Sequence, residues 1–529
     1  MTNDFQPYLT YEVVKGAYGY DLCGYLIALE GWRRGLRLTF YSEDVDFPSV
    51  KTVGKHFLGR RFSLSSDEKT HYFFRSRGDL ISNDAVDICK DKDWTKSVLS
   101  KSNVPVPKGR EFSKDVEKEE LLNYARKIGF PLVIKPTKGS LGKGVYTDIA
   151  NEQQFIEVLN EFKKSHSNSG IIIEQHVYGE EYRVYVVGDE VIGATNRIPA
   201  NIEGDGLNSI KELIKLKNKE KKSNPYLRSK SIDIDYEVKD QIKRKGYTLD
   251  TVLEDGEVLY LRTKSNLSAG GDPLDATDIL TGEVKEIAVN AAKSIPNFKH
   301  GGLDLIVDPL DNRKATIIEM NATAEIGFHH FPMEGKYRDI AGAIVDLYFP
   351  ETKNENKSTY FFDFKGILNP LRDGTVKYIE IRPTPIGQSY TKKFYVSGKV
   401  QKVNYRSWVR KQAIQRNLHG YAKNLNNGKV VVIVSSPEKK NVDNFKKILL
   451  KGSPNSIVEK VTEEKIERPI EIGFKVKKQK NKKRNKQHKI VDELNNEKKK
   501  YNNVVNSKSW KYTAPFRKIV NKLGDSKKR

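Results

Sequence analysis

The chain has 529 residues, 37% hydrophobic and 31% charged, which supports two or three domains with their own cores and excludes a disulfide mini-protein or a wholly disordered chain. Two cysteines, Cys23 and Cys89, cannot build a disulfide framework, and no apolar run reaches the roughly 18 residues that a bilayer span needs. The formal charge of +24 is uneven: residues 475–529 hold 20 Lys or Arg against 4 Asp or Glu, so the basicity belongs to a tail rather than a groove, and a nucleic-acid partner is not expected.

Residues 1–90 form an N-terminal region in which YLIALEGW suits a helix and LRLTFYS a strand. With no apolar leader in MTNDFQPYLT, a cytoplasmic protein is expected. DKDWTKSVLSK reads as a helix that stops before Pro105 and Pro107. A second helix is predicted over SKDVEKEELLNYARKIG, with Ser113 as N-cap, Leu121, Leu122, Ala125 and Ile128 as its apolar face, and Gly129 ending it. PLVIK is a short buried strand, followed by the loop KGSLGKGV. EQQFIEVLNEFKK aligns Phe155, Val158, Leu159 and Phe162 on one helical face. IIIEQHV and YRVYVVGDEVIGATN are strands, and GGLDLIVD and ATIIEMNATAE should be two neighbouring ones.

The first chemical constellation lies in FPLVIKPTKGSLGKGV. Gly139, Gly142 and Gly144 let backbone approach a phosphate, and Lys135, Lys138 and Lys143 supply charge, although the spacing is not that of a Walker loop. Further on, Glu319 and Asn321 stand two apart on a strand and share a face, with Asp304 on the neighbouring strand. Two carboxylates and an amide oxygen suit Mg²⁺, which takes hard oxygen ligands and shares them with phosphates.

The ordered set DKDWTK, VIKP, IIIEQHVYGEEYRVYVV, GLDLIVD and IIEMNA resembles the ATP-grasp superfamily over roughly residues 85–350. The resemblance implies that Lys92, Lys135, Gly139, Gly142 and Lys143 contact ATP. It implies an adenine strip at Glu174, Gln175 and Val177, a ribose contact at Glu181, and Mg²⁺ or Mn²⁺ at Asp304, Glu319 and Asn321. NRIPANIEGDG is similar to the same stretch of cyanophycin synthetases and of the glutathione-synthetase half of bifunctional enzymes, which places Arg183 and Arg197 at the substrate side of the phosphates. Those relatives imply ligation of a small-molecule acid to an amine through an acyl phosphate, with Arg197 catalytic. His329 and His330 follow the metal strand, and a structural role for them is at least as good as a substrate-orienting one.

A linker is expected from 351 to 393. Residues 394–475 then read as β-α-β-β-α-β: a strand and loop in FYVSGKVQKVNYRS, a helix in SWVRKQAIQRNLHG ending at Gly420, a turn at Asn427-Gly428, a helix in NVDNFKKILLKG and a closing strand. GKVQKVNYR, from Gly398 to Arg406, with Asn424 18 residues beyond, resembles acylphosphatase. That resemblance implies a ferredoxin-like fold in which Arg406 and loop amides hold phosphate and Asn424 orients water. Lys402 stands where the family has a loop glycine and is strained if φ > 0 is required there.

The basic tail, 476–529, should be disordered or partly helical, and either solubilises the chain or binds an acidic envelope polymer or an anionic membrane surface. SKSWKYTAPFRK resembles a segment near the ends of some cell-envelope glycan enzymes, which favours the latter and a peripheral position at the membrane. The expectation is thus a mixed α/β and α+β chain: a pre-grasp region (1–90), an ATP-grasp ligase fold (91–350), a linker and an acylphosphatase-like domain. Two other functions stay open: acylphosphatase as the main activity, and a nucleotide-gated scaffold for an acidic polymer.

Overall fold

A computed structural model describes residues 8–45, 47, 49–52, 58–137 and 144–478. The chain divides into two units, the larger formed by residues 1–391 with 435–439 and 466–472, the smaller by the intervening stretches and 473–529. The loop carrying Lys138, Gly139, Gly142 and Lys143, and the tail from 479 onward, lie outside the described residues.

In the large unit the helix Tyr20–Arg33 buries nearly its whole length, because Leu22, Tyr25, Leu26, Leu29 and Trp32 leave it little polar face. It packs on a five-stranded sheet that contains Arg37–Tyr41, Arg61–Ser65 and Thr70–Phe74. The edge partner of Arg37–Tyr41 comes from far along the chain: Tyr378–Ile381 pairs antiparallel, with Leu38 opposite Ile381. The stretch 351–393, expected as a linker, is therefore built into this unit through residue 391. Trp32 Nε1 donates to the Arg382 carbonyl at 2.9 Å, and Phe362 packs edge-on against Trp32. Polar PETKNENKST suggests a linker, but the aromatic residues of YFFDF directly after it are buried in this unit.

Two further sheets frame the site. A four-stranded sheet orders Gly109–Phe112, Ile171–Gln175, Leu132–Pro136 and Tyr146–Ile149. Helices Lys118–Ile128 and Glu152–Ser165 cover it with Leu121, Leu122, Ala125, Phe155, Leu159 and Phe162. The first of these begins later than Ser113 predicts. Its N-cap is Glu117, while Ser113 Oγ accepts from Asp115 N in a turn of its own. Gly129, at φ +82°, ends the helix as expected.

A five-stranded sheet orders Asp272–Asp275, Glu190–Ile198, Glu180–Val187, His300–Val307 and Ala315–Asn321. Val184, Val186, Ala194, Leu303 and Leu305 point to one face, where Val284, Ala288 and Ala291 of helix Gly282–Ser294 fill the core. The opposite face carries the chemistry.

The small unit has a five-stranded sheet in which Ile457–Lys465, Tyr390–Lys399, Val430–Ser436 and His419–Asn424 follow in that order, the ferredoxin-like arrangement, with Phe474–Lys477 added parallel to His419–Asn424. Helices Tyr405–Ile414 and Lys439–Lys451 bury Val409, Ala413, Val442, Phe445 and Leu449. Gly420, expected to end a helix, lies inside a strand at φ +138°, where a Cβ would meet the Ile433 carbonyl oxygen at 2.0 Å.

Candidate active site

Register places one row of side chains across the five-stranded sheet. Glu319 is opposite Asp304, Asp304 opposite Arg183, and Arg183 opposite Thr195. Asn321 follows Glu319 on the same face, and Glu181 precedes Arg183 on theirs. The row is tied by charge. Arg183 grips Asp304 in two-point fashion, Nε to Oδ1 at 2.5 Å and Nη2 to Oδ2 at 2.7 Å. Arg197 Nη2 adds a 3.1 Å contact to Asp304 Oδ1 and pairs with Glu181. Burial alone would raise the Asp304 carboxyl, but the two guanidinium groups outweigh it and hold it below the ordinary carboxylate range.

From the other side come lysines. Asp91 caps helix Lys92–Lys101, and its carboxylate accepts from the amides of Asp93 and Trp94. Lys92 opens that helix and comes to 4.0 Å of Glu319 Oε2. Lys135, on the strand Leu132–Pro136, is 4% exposed and pairs with Glu174, itself 3% exposed. Lys96 pairs with the other oxygen of Glu174. One buried carboxylate is thus shared by two buried ammonium groups. Burial lowers the Lys96 pKa to about 8. The same cause, with the neighbouring charges of Lys96 and Lys92, takes Lys135 well below the ordinary lysine range.

Lys92, Lys135, Glu174, Glu181, Arg183, Arg197, Asp304, Glu319 and Asn321 therefore come from one helix and two sheets to neighbouring positions. Gln175 is turned elsewhere: its Nε2 donates to the Ile128 carbonyl at 2.8 Å, at the end of a helix. Val177 sits in the connection between the strands ending at Gln175 and starting at Glu180. Lys96 escaped the sequence reading. The signal was present, since Lys92 and Lys96 are four apart and share a helical face. Glu174, expected along an adenine edge, is the counter-ion of two lysines as placed.

The donor set suits a magnesium-bearing triphosphate. Glu319 is only partly buried, Asn321 shares its face, and Lys92 approaches from the opposite side. Asp304, by contrast, has both oxygens engaged by Arg183. Among the described residues no group of three or more His, Cys, Asp or Glu could hold a metal by itself.

The small unit carries its own candidate phosphate site. The loop after strand Tyr390–Lys399 runs into helix Tyr405–Ile414, so Arg406 stands in the first helical turn. Gly398 is at φ +114°, and a Cβ there would meet the Ile457 carbonyl oxygen at 2.1 Å. Lys402, at φ +61°, and Asn404, at φ +58°, both occupy the left-handed region. Gln401 Nε2 donates to the carbonyls of Leu425 and Lys429, both at 2.9 Å, which ties the loop to the turn after Asn424. Arg406 Nη1 donates to the Lys477 carbonyl at 3.2 Å. Asn424 Oδ1 is sealed from solvent and has no hydrogen-bond partner.

Comparison with known proteins matches both regions. The phosphoribosylglycinamide synthetase ATP-grasp (A) domain model covers residues 90–196, and the acylphosphatase model covers 392–476. One chain thus carries an ATP-grasp match and, after it, an acylphosphatase match. Cyanophycin synthetase of Geminocystis herdmanii is 32% identical to it over 276 residues, which is 50% of this chain and 31% of the relative. The glutathione biosynthesis bifunctional protein GshAB of Desulfotalea psychrophila is 32% identical over 340 residues, 63% of this chain and 42% of the relative. The chain spans less than half the length of these curated relatives. An acylphosphatase structure from Coxiella burnetii, 32% identical, matches 17% of this chain and 93% of its own, with a TM-score of 0.16. Among the described residues, no helix is long and apolar enough to cross a membrane.

Proposed function

We propose that the ATP-grasp region is an ATP-dependent carboxylate–amine ligase. The observation that carries this reading is the convergence of Lys92, Lys96 and Lys135 with Glu174 and Glu319, beside the Arg183–Asp304–Arg197 row. A substrate carboxylate oxygen attacks the γ-phosphorus of ATP, and the bond to the ADP oxygen breaks. The amine then attacks the carbonyl of the acyl phosphate, phosphate leaves with the bonding pair, and the amine loses a proton. Buried ammonium groups hold the phosphates, and the two arginines neutralise charge on the transferred group. Glu319 and Asn321, with the Asp304 lone pairs that Arg183 and Arg197 leave open, would hold Mg²⁺ or Mn²⁺, which supplies further charge neutralisation. Similarity to cyanophycin synthetase and to the bifunctional glutathione protein supports the reaction class. An ADP-release screen of amino acids and uronic acids in pairs with amines, with mass spectrometry of products, tests it. ADP formation that needs both an acid and an amine is expected, and none in any mixture overturns the reading.

The small unit, in the same proposal, hydrolyses acyl phosphates that escape or were made on the wrong acid. The missing hydrogen-bond partner of Asn424 Oδ1 supports a role for it in accepting from an attacking water once an acyl phosphate opens the site. Arg406→Ala should lower the ADP released per amide formed, and an unchanged ratio with every acid ends the coupling idea.

A further inference from the structure

Two arginine–tyrosine groups that the nucleotide reading does not use flank Tyr226: Arg228 stands two residues beyond it, and Arg75 reaches the turn after Asn321 that Tyr226 also bonds. The Nε, Nη1 and Nη2 atoms of Arg228 are each sealed from solvent, and none has a hydrogen-bond partner. The guanidinium lies 3.8 Å from the Tyr18 ring centre and 5.0 Å from that of Tyr11. Arg75 repeats the pattern: its guanidinium is 3.3 Å from the Tyr20 ring, its Nη2 reaches the Thr323 carbonyl at 3.3 Å, and its Nε is sealed and unpartnered.

The Arg75 group stands on the turn directly after Asn321. Ser76 Oγ donates to the Ala324 carbonyl at 2.6 Å, and Tyr226 Oη donates to Glu325 Oε2 at 2.7 Å. This turn packs on the arginine row of the candidate active site, for a Cβ at Gly302 would meet Ala324 Cβ at 2.6 Å and Arg183 Nη1 at 3.5 Å.

Stacking on tyrosine recovers part of the cost of burying a guanidinium, but it satisfies none of the five N–H donors. A buried cation without an acceptor is strongly unfavourable, and an apolar side chain of similar volume would fill the space better. Donors held this way fit an acceptor that arrives with a ligand. The guanidinium fork matches a carboxylate, and Glu325 in the same cluster disfavours a doubly charged phosphate.

We infer that Arg228 and Arg75 bind a carboxylate of a ligase substrate other than the one being activated, with Tyr18 and Tyr20 as the walls of that pocket. The substrate class is a dicarboxylic acid, or an amine that bears a carboxylate. The inference rests on the ligase reading for its place beside Glu319. Tyr18 and Tyr20 are 41% and 39% exposed, which puts these aromatic walls at the protein surface.

The test uses the full chain. Succinate should raise its melting temperature, succinamide should not, and Arg228→Gln should abolish the succinate effect. No succinate shift in wild type, or the same shift in the variant, overturns the inference. With an acid–amine pair that releases ADP, Arg228→Gln should raise one KM about tenfold or more and leave kcat within about threefold. A rise for the acid identifies a dicarboxylic acid, and a rise for the amine identifies an amine-borne carboxylate. Both KM values within twofold of wild type sink the proposal. Should Arg228→Gln fail to fold, Arg228→Lys keeps the charge without the fork and is held to the same criteria, with a smaller KM rise expected. Absence of ADP release with every pair removes the ligase reading, while the succinate arm still decides whether the pocket takes a carboxylate.

Discussion

The two candidate phosphate sites solve one problem in opposite ways. In the ATP-grasp region the site is built from side-chain charges that are buried and neutralise one another: Lys96 and Lys135 on Glu174, Arg183 and Arg197 on Asp304. In the acylphosphatase-like unit the candidate side chains are one arginine and one asparagine beside a loop at positive φ at Gly398, Lys402 and Asn404, and on the proposed reading the loop amides do the rest. Paired charges keep a highly charged site stable before its ligand binds, and they make it sensitive to pH. A backbone cradle avoids titrating groups, and its cost is conformational strain, carried here by a lysine.

That contrast can be broken at either end. The largest effect is expected for Lys135→Ala, which leaves Glu174 with one cation: ATP-dependent ADP release should fall by about 10³-fold. Hydrolysis of benzoyl phosphate in the same variant should be unchanged. Arg406→Ala should do the reverse, with benzoyl phosphate turnover down by about 10²-fold or more and ADP release at its wild-type rate. Loss of both activities in either variant would show that the sites are not separable.

A pH series sharpens the distinction. Lys96 has a folded pKa of about 8, below the ordinary lysine value of 10.5. Between those values the unfolded chain binds more protons, so this group makes the fold more stable as pH rises through the window. On the proposed ligase reading ATP meets the charged form, so KM for ATP should rise about three- to tenfold between about pH 7 and about pH 9 while the melting temperature does not fall on this account. Lys96→Arg should flatten part of that rise, because arginine stays charged. Benzoyl phosphate hydrolysis should lack this dependence. The smallest effect is Lys402→Gly. Glycine removes the left-handed strain but loosens the unfolded chain, so a gain of about 0.5–1 kcal/mol in chemical denaturation of the small unit is expected. A loss would mean that the lysine side chain contributes contacts that outweigh the strain.

Local signals were legible in the sequence, and long-range pairings were not. The helix beginning at Lys92, the strand Leu132–Pro136 and the adjacent strands of Asp304 and Glu319 could be read because each has its own periodicity and caps. The strain at Lys402 was legible as a conditional, a non-glycine residue at a glycine position, and the observed φ of +61° meets the condition. Ser113 misled because serine starts turns as readily as helices, and Gly420 because a glycine ending a helical pattern looks the same as one where two strands approach closely. The two-lysine arrangement around Glu174 required knowing that a helix and two strands meet, which no local pattern states. The same holds for Arg228 and Tyr18, 210 positions apart in the chain.

The pairing of Tyr378–Ile381 with Arg37–Tyr41 bears on how the polypeptide matures. A ribosome must deliver more than 330 further residues after the early strand emerges before its partner exists. Until then Phe40 and Trp32 lack the cover that Phe362 provides. Nascent chains stalled anywhere short of that point should engage chaperones, and expression clones that stop at residue 350 should yield inclusion bodies however complete their nucleotide-binding residues are.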